Sequence, residues 1–200
     1  LLTGILLAWL IYRLLLARDP QRNATLAAWV ALLTTALWLL HPFNISTTLY
    51  IVQRMAILSA LFSIAGLLTY VVGRDLLARQ PRRAYFLMTA GVVVFTPLAV
   101  FSKENGALLP LLIAVLEYTA LRHPAPQCYP SSRWLMLFLG LPNLILIVYF
   151  AVRWDATLDG YRLRHFTLGE RLLTESRILL DYLQQLLIPN LGASGIFNEH

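Results

Sequence analysis

Charge is scarce in this chain. Asp, Glu, Lys and Arg together make up 13% of its 200 residues, about half the share usual in soluble domains, which is about 25%. Lys103 is the only lysine, so the net charge of +6 is almost entirely arginine. One cysteine, Cys128, excludes an internal disulfide framework. There is no P-loop, no GxGxxG, no HExxH and no CxxC, so the common nucleotide, dinucleotide and zinc signatures are excluded. No basic face is interleaved with aromatics, which argues against a nucleic-acid partner. Internal repeats and low-complexity tracts are missing too, and Leu1–Leu16 lacks the basic start and small-residue cleavage site of a secretory signal. The chain opens inside an apolar run without Met and closes in a polar stretch, and so reads as a piece of a longer protein.

What is abundant is apolar sequence: 58% hydrophobic residues and a mean hydropathy of +0.67. It comes in blocks of membrane-spanning length. A bilayer core of about 30 Å takes roughly 17–25 helical residues, and the chain offers six candidate spans: Leu1–Leu16, Ala24–Leu40, Leu49–Val72, Ala84–Phe101, Ala107–Leu121 and Trp134–Val152. The expected fold is therefore all-α, a polytopic transmembrane helical bundle over residues 1–153. Pro97 and Pro142 lie inside spans and predict kinks. The fifth run is short, with Pro110 near its start, and reads as tilted, broken or re-entrant.

The connections alternate in charge. Arg13, Arg18 and Arg22 cluster at the first, Arg74, Arg79, Arg82 and Arg83 at the third, and Arg122 and Arg133 at the fifth. Short basic loops stay cytoplasmic. The odd loops are thus expected on the cytoplasmic side, and His41–Thr48 and Ser102–Gly106 on the opposite, periplasmic side of a bacterial inner membrane. Residues 154–200 would then form an extracytoplasmic segment, whose acids balance its arginines. Within it, residues 168–188 predict an amphipathic helix: Leu172, Leu173, Leu179, Leu180, Leu183, Leu186 and Leu187 recur at helical spacing, and Arg171/Glu175 and Arg177/Asp181 are opposite-charge i,i+4 pairs. Such a helix can lie in the membrane interface or pack on a soluble domain.

Ionisable groups near membrane depth are functional candidates. Pro42 forces the chain out of helix just after His41, fixing an imidazole at the interface; the alternative is a simple helix-ending turn. Gln53-Arg54-Met55 sits just inside the third apolar run, where a guanidinium calls for an anion, and a phosphate matches its fork. Alternatively Arg54 snorkels or pairs with a carboxylate. In Ser102-Lys103-Glu104-Asn105-Gly106, Lys103 is a second phosphate ligand by charge, Glu104 a carboxylate able to act as base or to hold a divalent metal, and Gly106 the residue that lets the backbone turn. The alternative is a charged loop separating two spans, with an Arg54–Glu104 pair. Glu117, late in the fifth run, reads as structural, bonded between helices or reaching toward Arg122. Arg54 and Lys103 together place two cations at the level of a lipid headgroup, which is what a membrane-held phosphate requires.

These segments resemble a known family. His41-Pro42-Phe43-Asn44, then Gln53-Arg54-Met55 leading into Leu58-Ser59-Ala60-Leu61-Phe62, are similar to a stretch of the transmembrane-and-TPR glycosyltransferases. Ser102-Lys103-Glu104-Asn105-Gly106 with Leu109-Pro110 and Leu116-Glu117-Tyr118 resembles a second stretch, and Arg177, Tyr182-Leu183 and Ile188-Pro189-Asn190-Leu191 a third, in the same order. Eukaryotic members are O-mannosyltransferases that use dolichyl-phosphate mannose. The resemblance implies a GT-C fold, a polyprenyl-phosphate sugar donor, an extracytoplasmic protein or glycan acceptor and a TPR region after His200. It also implies donor-phosphate binding by Arg54 and Lys103, a site lined by His41, Gln53, Glu104, Asn105 and Arg177, and a catalytic acidic residue before Leu1. Met55 and Ala56 depart from the acidic residue often found after that arginine. Two other classes fit the composition: a lipid-linked glycan transporter or flippase, which predicts inverted repeats and polar groups at mid-membrane, and a membrane anchor for a C-terminal TPR region.

Overall fold

The computed structural model describes residues 1–19, 21–41, 53–121, 129–153 and 168–187. Among these there is no strand. The expectations about Pro42–Asn44, the run before Gln53, Arg122, Cys128, the stretch from 154 to 167 and Ile188–Leu191 lie outside the described residues.

The helices are α1 (Leu2–Arg18), α2 (Ala24–Leu40), α3 (Arg54–Leu76), α4 (Pro81–Val93), α5 (Phe95–Ser102), α6 (Leu109–Thr119), α7 (Ser132–Leu135), α8 (Leu141–Val152) and α9 (Leu168–Leu187). A 3-10 turn, Glu104–Leu108, precedes α6, and a π-helical turn, Met136–Gly140, joins α7 to α8. The starts follow local chemistry. The Asn23 side chain accepts from the amides of Thr25 and Leu26 and opens α2. Pro81 stands in the first turn of α4, where its missing N–H has no intrahelical role. Ser131 Oγ accepts from the Trp134 amide and opens α7.

Three stretches are long and apolar enough to cross a membrane: Arg54–Leu76, Pro81–Ser102 and Ser132–Val152. They match the third, fourth and sixth expected spans. The other three runs are helical but shorter: α1 and α2 have 17 residues each and α6 has 11. At 1.5 Å per residue α6 is about 16 Å long, roughly half a bilayer core. The prolines explain the breaks. Pro97 cannot donate to the Val93 carbonyl, and α4 gives way to α5 at Val94. Pro142 cannot donate to Phe138, and the turn before it is wound as π, with the Leu141 amide reaching back to the Met136 carbonyl. Asn143 Nδ2 donates to the Leu139 carbonyl in the same turn, at 2.8 Å.

The core is built on α3. Tyr70, Val71, Met88, Leu109 and Ile113 are fully buried where α3, α4 and α6 meet. Close approach of α3 and α4 rests on two glycines: a Cβ at Gly66 would lie 2.9 Å from the Gly91 carbonyl oxygen, and one at Gly91 would lie 2.9 Å from that of Gly66. Small residues of this kind let helix backbones touch in apolar surroundings, where no hydrophobic force presses helices together. Outside this core the surface is apolar over long stretches, including Trp29, Leu33 and Leu37 on α2 and Ile145, Val148 and Phe150 on α8. That is far beyond the scattered apolar residues of a soluble surface, and suits a lipid surround.

Three contacts fix the direction of the helices. Arg13 near the end of α1 pairs with Asp75 at the end of α3. Arg74 on α3 pairs with Glu117 near the end of α6. Tyr85 near the start of α4 accepts through its hydroxyl from the Ser131 amide before α7. These termini therefore share one end of the bundle, together with Arg79, Arg82, Arg83 and Arg133. At the other end the Ser59 hydroxyl on α3 donates to the Ala99 carbonyl on α5 at 3.1 Å. Among the described residues the bundle thus has two distinct ends, one of them rich in arginine.

Candidate functional site

The end opposite the arginine-rich one holds His41, Gln53, Arg54, Lys103, Glu104 and Asn105. His41 caps the C-terminus of α2 and is half-buried. Its Nε2 lies 3.1 Å from the carbonyl oxygen of Leu186 on α9, a contact in which the ring nitrogen is the donor. Gln53 precedes α3 and Arg54 is its first residue, both exposed. Arg54 thus stands in the first turn of the helix.

Lys103 ends α5 in an extended conformation, φ −162° and ψ 143°, and is half-buried. Glu104 and Asn105 are exposed in the 3-10 turn that follows at once. The expected outer loop is therefore a one-residue break at Lys103. Gly106 does not supply a turn through unusual dihedrals, since no glycine among the described residues has positive φ. It is buried against α5, and any Cβ there would run into the backbone of Ala99 and Val100. This packing fixes the 3-10 turn against the end of α5 and sets where Lys103 and Glu104 emerge.

Among the described residues, no hydrogen bond or ion pair engages the side chains of Arg54, Lys103 or Glu104. In particular, no Arg54–Glu104 pair forms. Arg177 is exposed on α9, with Asp181 one turn on. No group of three His, Cys, Asp or Glu able to hold a metal ion occurs among the described residues. Two clefts lie elsewhere. One, about 260 Å³, opens beside the π turn between α6 and α7/α8, where Tyr118, Ser132 and Asn143 line it. The other, about 420 Å³, is apolar and lies along α8 near Arg153.

The arginine-rich end holds a polar cluster that the sequence shows only in part. Glu117 is 3% exposed and Arg74 7%. Arg74 Nε donates to both carboxylate oxygens, at 2.9 and 3.1 Å, and the Tyr70 hydroxyl donates to Oε2 at 2.9 Å. The Arg74 guanidinium also lies 5.3 Å from the centre of the Tyr129 ring. Glu117 is thus bonded between helices, as one reading of the sequence has it, and its partner is Arg74. Arg74 itself, grouped with the loop arginines by sequence, is a buried residue inside α3. Its signal was spacing: Tyr70 and Arg74 stand four apart on one helix face. Trp134 packs over Tyr70 with ring centroids 6.0 Å apart and donates through Nε1 to Thr89 at 3.0 Å.

No family model, curated protein or solved structure matches this chain.

Proposed function

We propose that this chain is the donor-binding part of a GT-C-type membrane glycosyltransferase, which moves a sugar from a polyprenyl phosphate to an extracytoplasmic protein or glycan acceptor at a bacterial inner membrane. One observation carries the reading. Arg54 and Lys103 stand at the ends of different helices at one end of an apolar bundle, and neither has a carboxylate partner among the described residues. A cation at the edge of apolar surface attracts an anion, and a lipid phosphate with its tail in the bilayer is the anion available at that level. The order and spacing of the motifs shared with the transmembrane-and-TPR glycosyltransferases supply the sugar. Periplasmic orientation follows from the arginine-rich opposite end.

In the reaction, the bond between the sugar C1 and the phosphate oxygen breaks as a bond from the acceptor oxygen to C1 forms. The acceptor proton passes to a carboxylate, and polyprenyl phosphate leaves with one more negative charge than it carried as ester. Arg54 and Lys103 would hold that phosphate and favour the added charge. Gln53, Glu104 and Asn105 are exposed beside them and would line the sugar. Glu104 offers a carboxylate toward a divalent metal.

The test is the full-length protein in proteoliposomes with a radiolabelled polyprenyl-phosphate sugar. Losing one charge-assisted hydrogen bond of about 1.5–3 kcal/mol lowers kcat/KM for the donor by about 10- to 150-fold, and this is expected for Arg54→Ala and for Lys103→Ala. Wild-type kcat/KM in both variants would remove these two residues from the site. A membrane anchor without activity is the second reading, which the missing Arg54–Glu104 pair disfavours.

A further inference from the structure

α9 runs from Leu168 to Leu187 as a regular helix, yet it makes little contact with the bundle. At 3.6 residues per turn, Leu172, Leu173, Leu179, Leu180, Leu183 and Leu186 fall within an arc of about 140°. All six are exposed, between 48% and 75%. Beyond Leu168 at its first residue, partial burial is found on the other side of the helix, at Ile178 and Gln185. From Leu172 onward the leucine arc is therefore turned away from the side on which α9 is partly covered.

Two further details bear on what covers that arc. Ser176 is its one polar side chain, and its hydroxyl donates to the Leu172 carbonyl one turn back, at 2.7 Å. No hydrogen-bonding group on the arc thus needs water. Arg177 borders one edge of the arc and the Arg171–Glu175 ion pair, at 3.4 Å, the other. Long basic side chains at the edges of an apolar face can lay their stems on it and keep their charge at headgroup level. The position along the bundle comes from the far end of α9. The Leu186 carbonyl accepts from His41, which directly follows Leu40, an apolar residue 81% exposed at the end of α2. The leucine arc of α9 thus continues from the apolar outer surface of α2, where that surface stops.

We propose that α9 lies in the plane of the bilayer interface, leucine arc toward the acyl chains, with the His41–Leu186 hydrogen bond tying its C-terminal end to α2. The partner is the lipid surface itself. Attraction to anionic headgroups does not hold it there, because the helix carries two arginines against three acids. Its binding should rest on apolar burial and be insensitive to salt and to anionic lipid. This inference concerns placement in the membrane and stands whether or not sugar transfer is the activity.

The experiment is site-directed spin labelling of the full-length protein, with Cys128→Ser, in zwitterionic phosphatidylcholine nanodiscs. Labels at Leu173 and Leu180 on the arc are compared with labels at Thr174 and Asp181 opposite. Oxygen and a water-soluble nickel chelate report lipid and water exposure. The expected result is that Leu173 and Leu180 are oxygen-accessible and chelate-protected, at a depth of about 5–10 Å below the phosphates. Thr174 and Asp181 should show the reverse, with no change in 1 M salt or on adding anionic lipid. Chelate-accessible leucine positions would overturn the proposal, as would leucine positions shielded from both reagents, which would mean a protein partner. Loss of depth in high salt would overturn the apolar basis.

Discussion

Replacing Glu117 by alanine tests whether the buried cluster at the arginine-rich end holds the bundle together. Glu117 accepts from Arg74 through both oxygens and from Tyr70 through one. Removing it leaves a guanidinium that is 7% exposed without its carboxylate. In soluble proteins, breaking a buried pair from one side costs about 3–5 kcal/mol. Two features lower that figure here. Arg74 lies two residues from the end of α3 and can extend toward the headgroups once freed. In addition, helices that separate within a bilayer find substitute hydrogen bonds, so each interhelical bond is worth about 0.6 kcal/mol on average and about 1.7 at most. Three bonds then give about 2 kcal/mol at the average value, and loss of the counter-charge to a buried guanidinium adds to it. The expected loss is about 2–4 kcal/mol, read by steric trapping of the full-length protein in bicelles. Tyr70→Phe should lose about 1 kcal/mol, since one bond goes and no charge is stranded. The paired variant Arg74→Met with Glu117→Leu should recover most of the Glu117→Ala loss, because both buried charges go together. A Glu117→Ala loss below about 1 kcal/mol, or a double variant weaker than the single, would refute the reasoning.

Two further substitutions probe the packing. Gly91→Leu puts a Cβ 2.9 Å from the Gly66 carbonyl and 3.1 Å from the Tyr70 amide; both contacts are backbone, so α3 and α4 must separate, at about 1–3 kcal/mol by the same assay. Arg13→Ala breaks the ion pair with Asp75, whose side chains are 28% and 31% exposed; a partly solvated pair of this kind contributes about 0–1 kcal/mol, so its loss should stay below that of Glu117→Ala.

How much of this was legible in the sequence depends on range. The helical class, the boundaries of α2 and of the Ala84–Phe101 and Trp134–Val152 runs, and the amphipathic α9 all follow from periodicity and length, which are local. Pro97 and Pro142 predicted breaks, and breaks occur at Val94 and over Met136–Gly140. Spanning length was less legible. The apolar run at Ala107–Leu121 becomes a 3-10 turn followed by an 11-residue helix, because Gly106 packs against α5 and Pro110 starts a new helix. Hydropathy sees composition and misses such a change of winding. Pairing between distant positions was least legible. Glu117 stood out as an acid in an apolar run, but Arg74 looked like one more loop arginine. Only the meeting of α3 and α6 brings the two together across 43 positions. The same holds for His41, whose partner is 145 residues away.

The two ends of the bundle treat charge differently, and that difference separates stability from binding. At the arginine-rich end Arg13 and Arg74 have carboxylate partners, so their removal acts on packing. At the other end Arg54 and Lys103 have none among the described residues, so folding gains little from them and loses little without them. Variants at the two ends touch no common partner and should behave independently. Glu117→Ala should lower stability while leaving donor KM unchanged in the fraction that remains folded. Arg54→Ala should raise donor KM at unchanged stability. In the combined variant the two effects should add. If Arg54→Ala instead destabilised the fold as strongly as Glu117→Ala, Arg54 would be a structural residue with an unseen partner. The phosphate reading would then lose the observation it stands on.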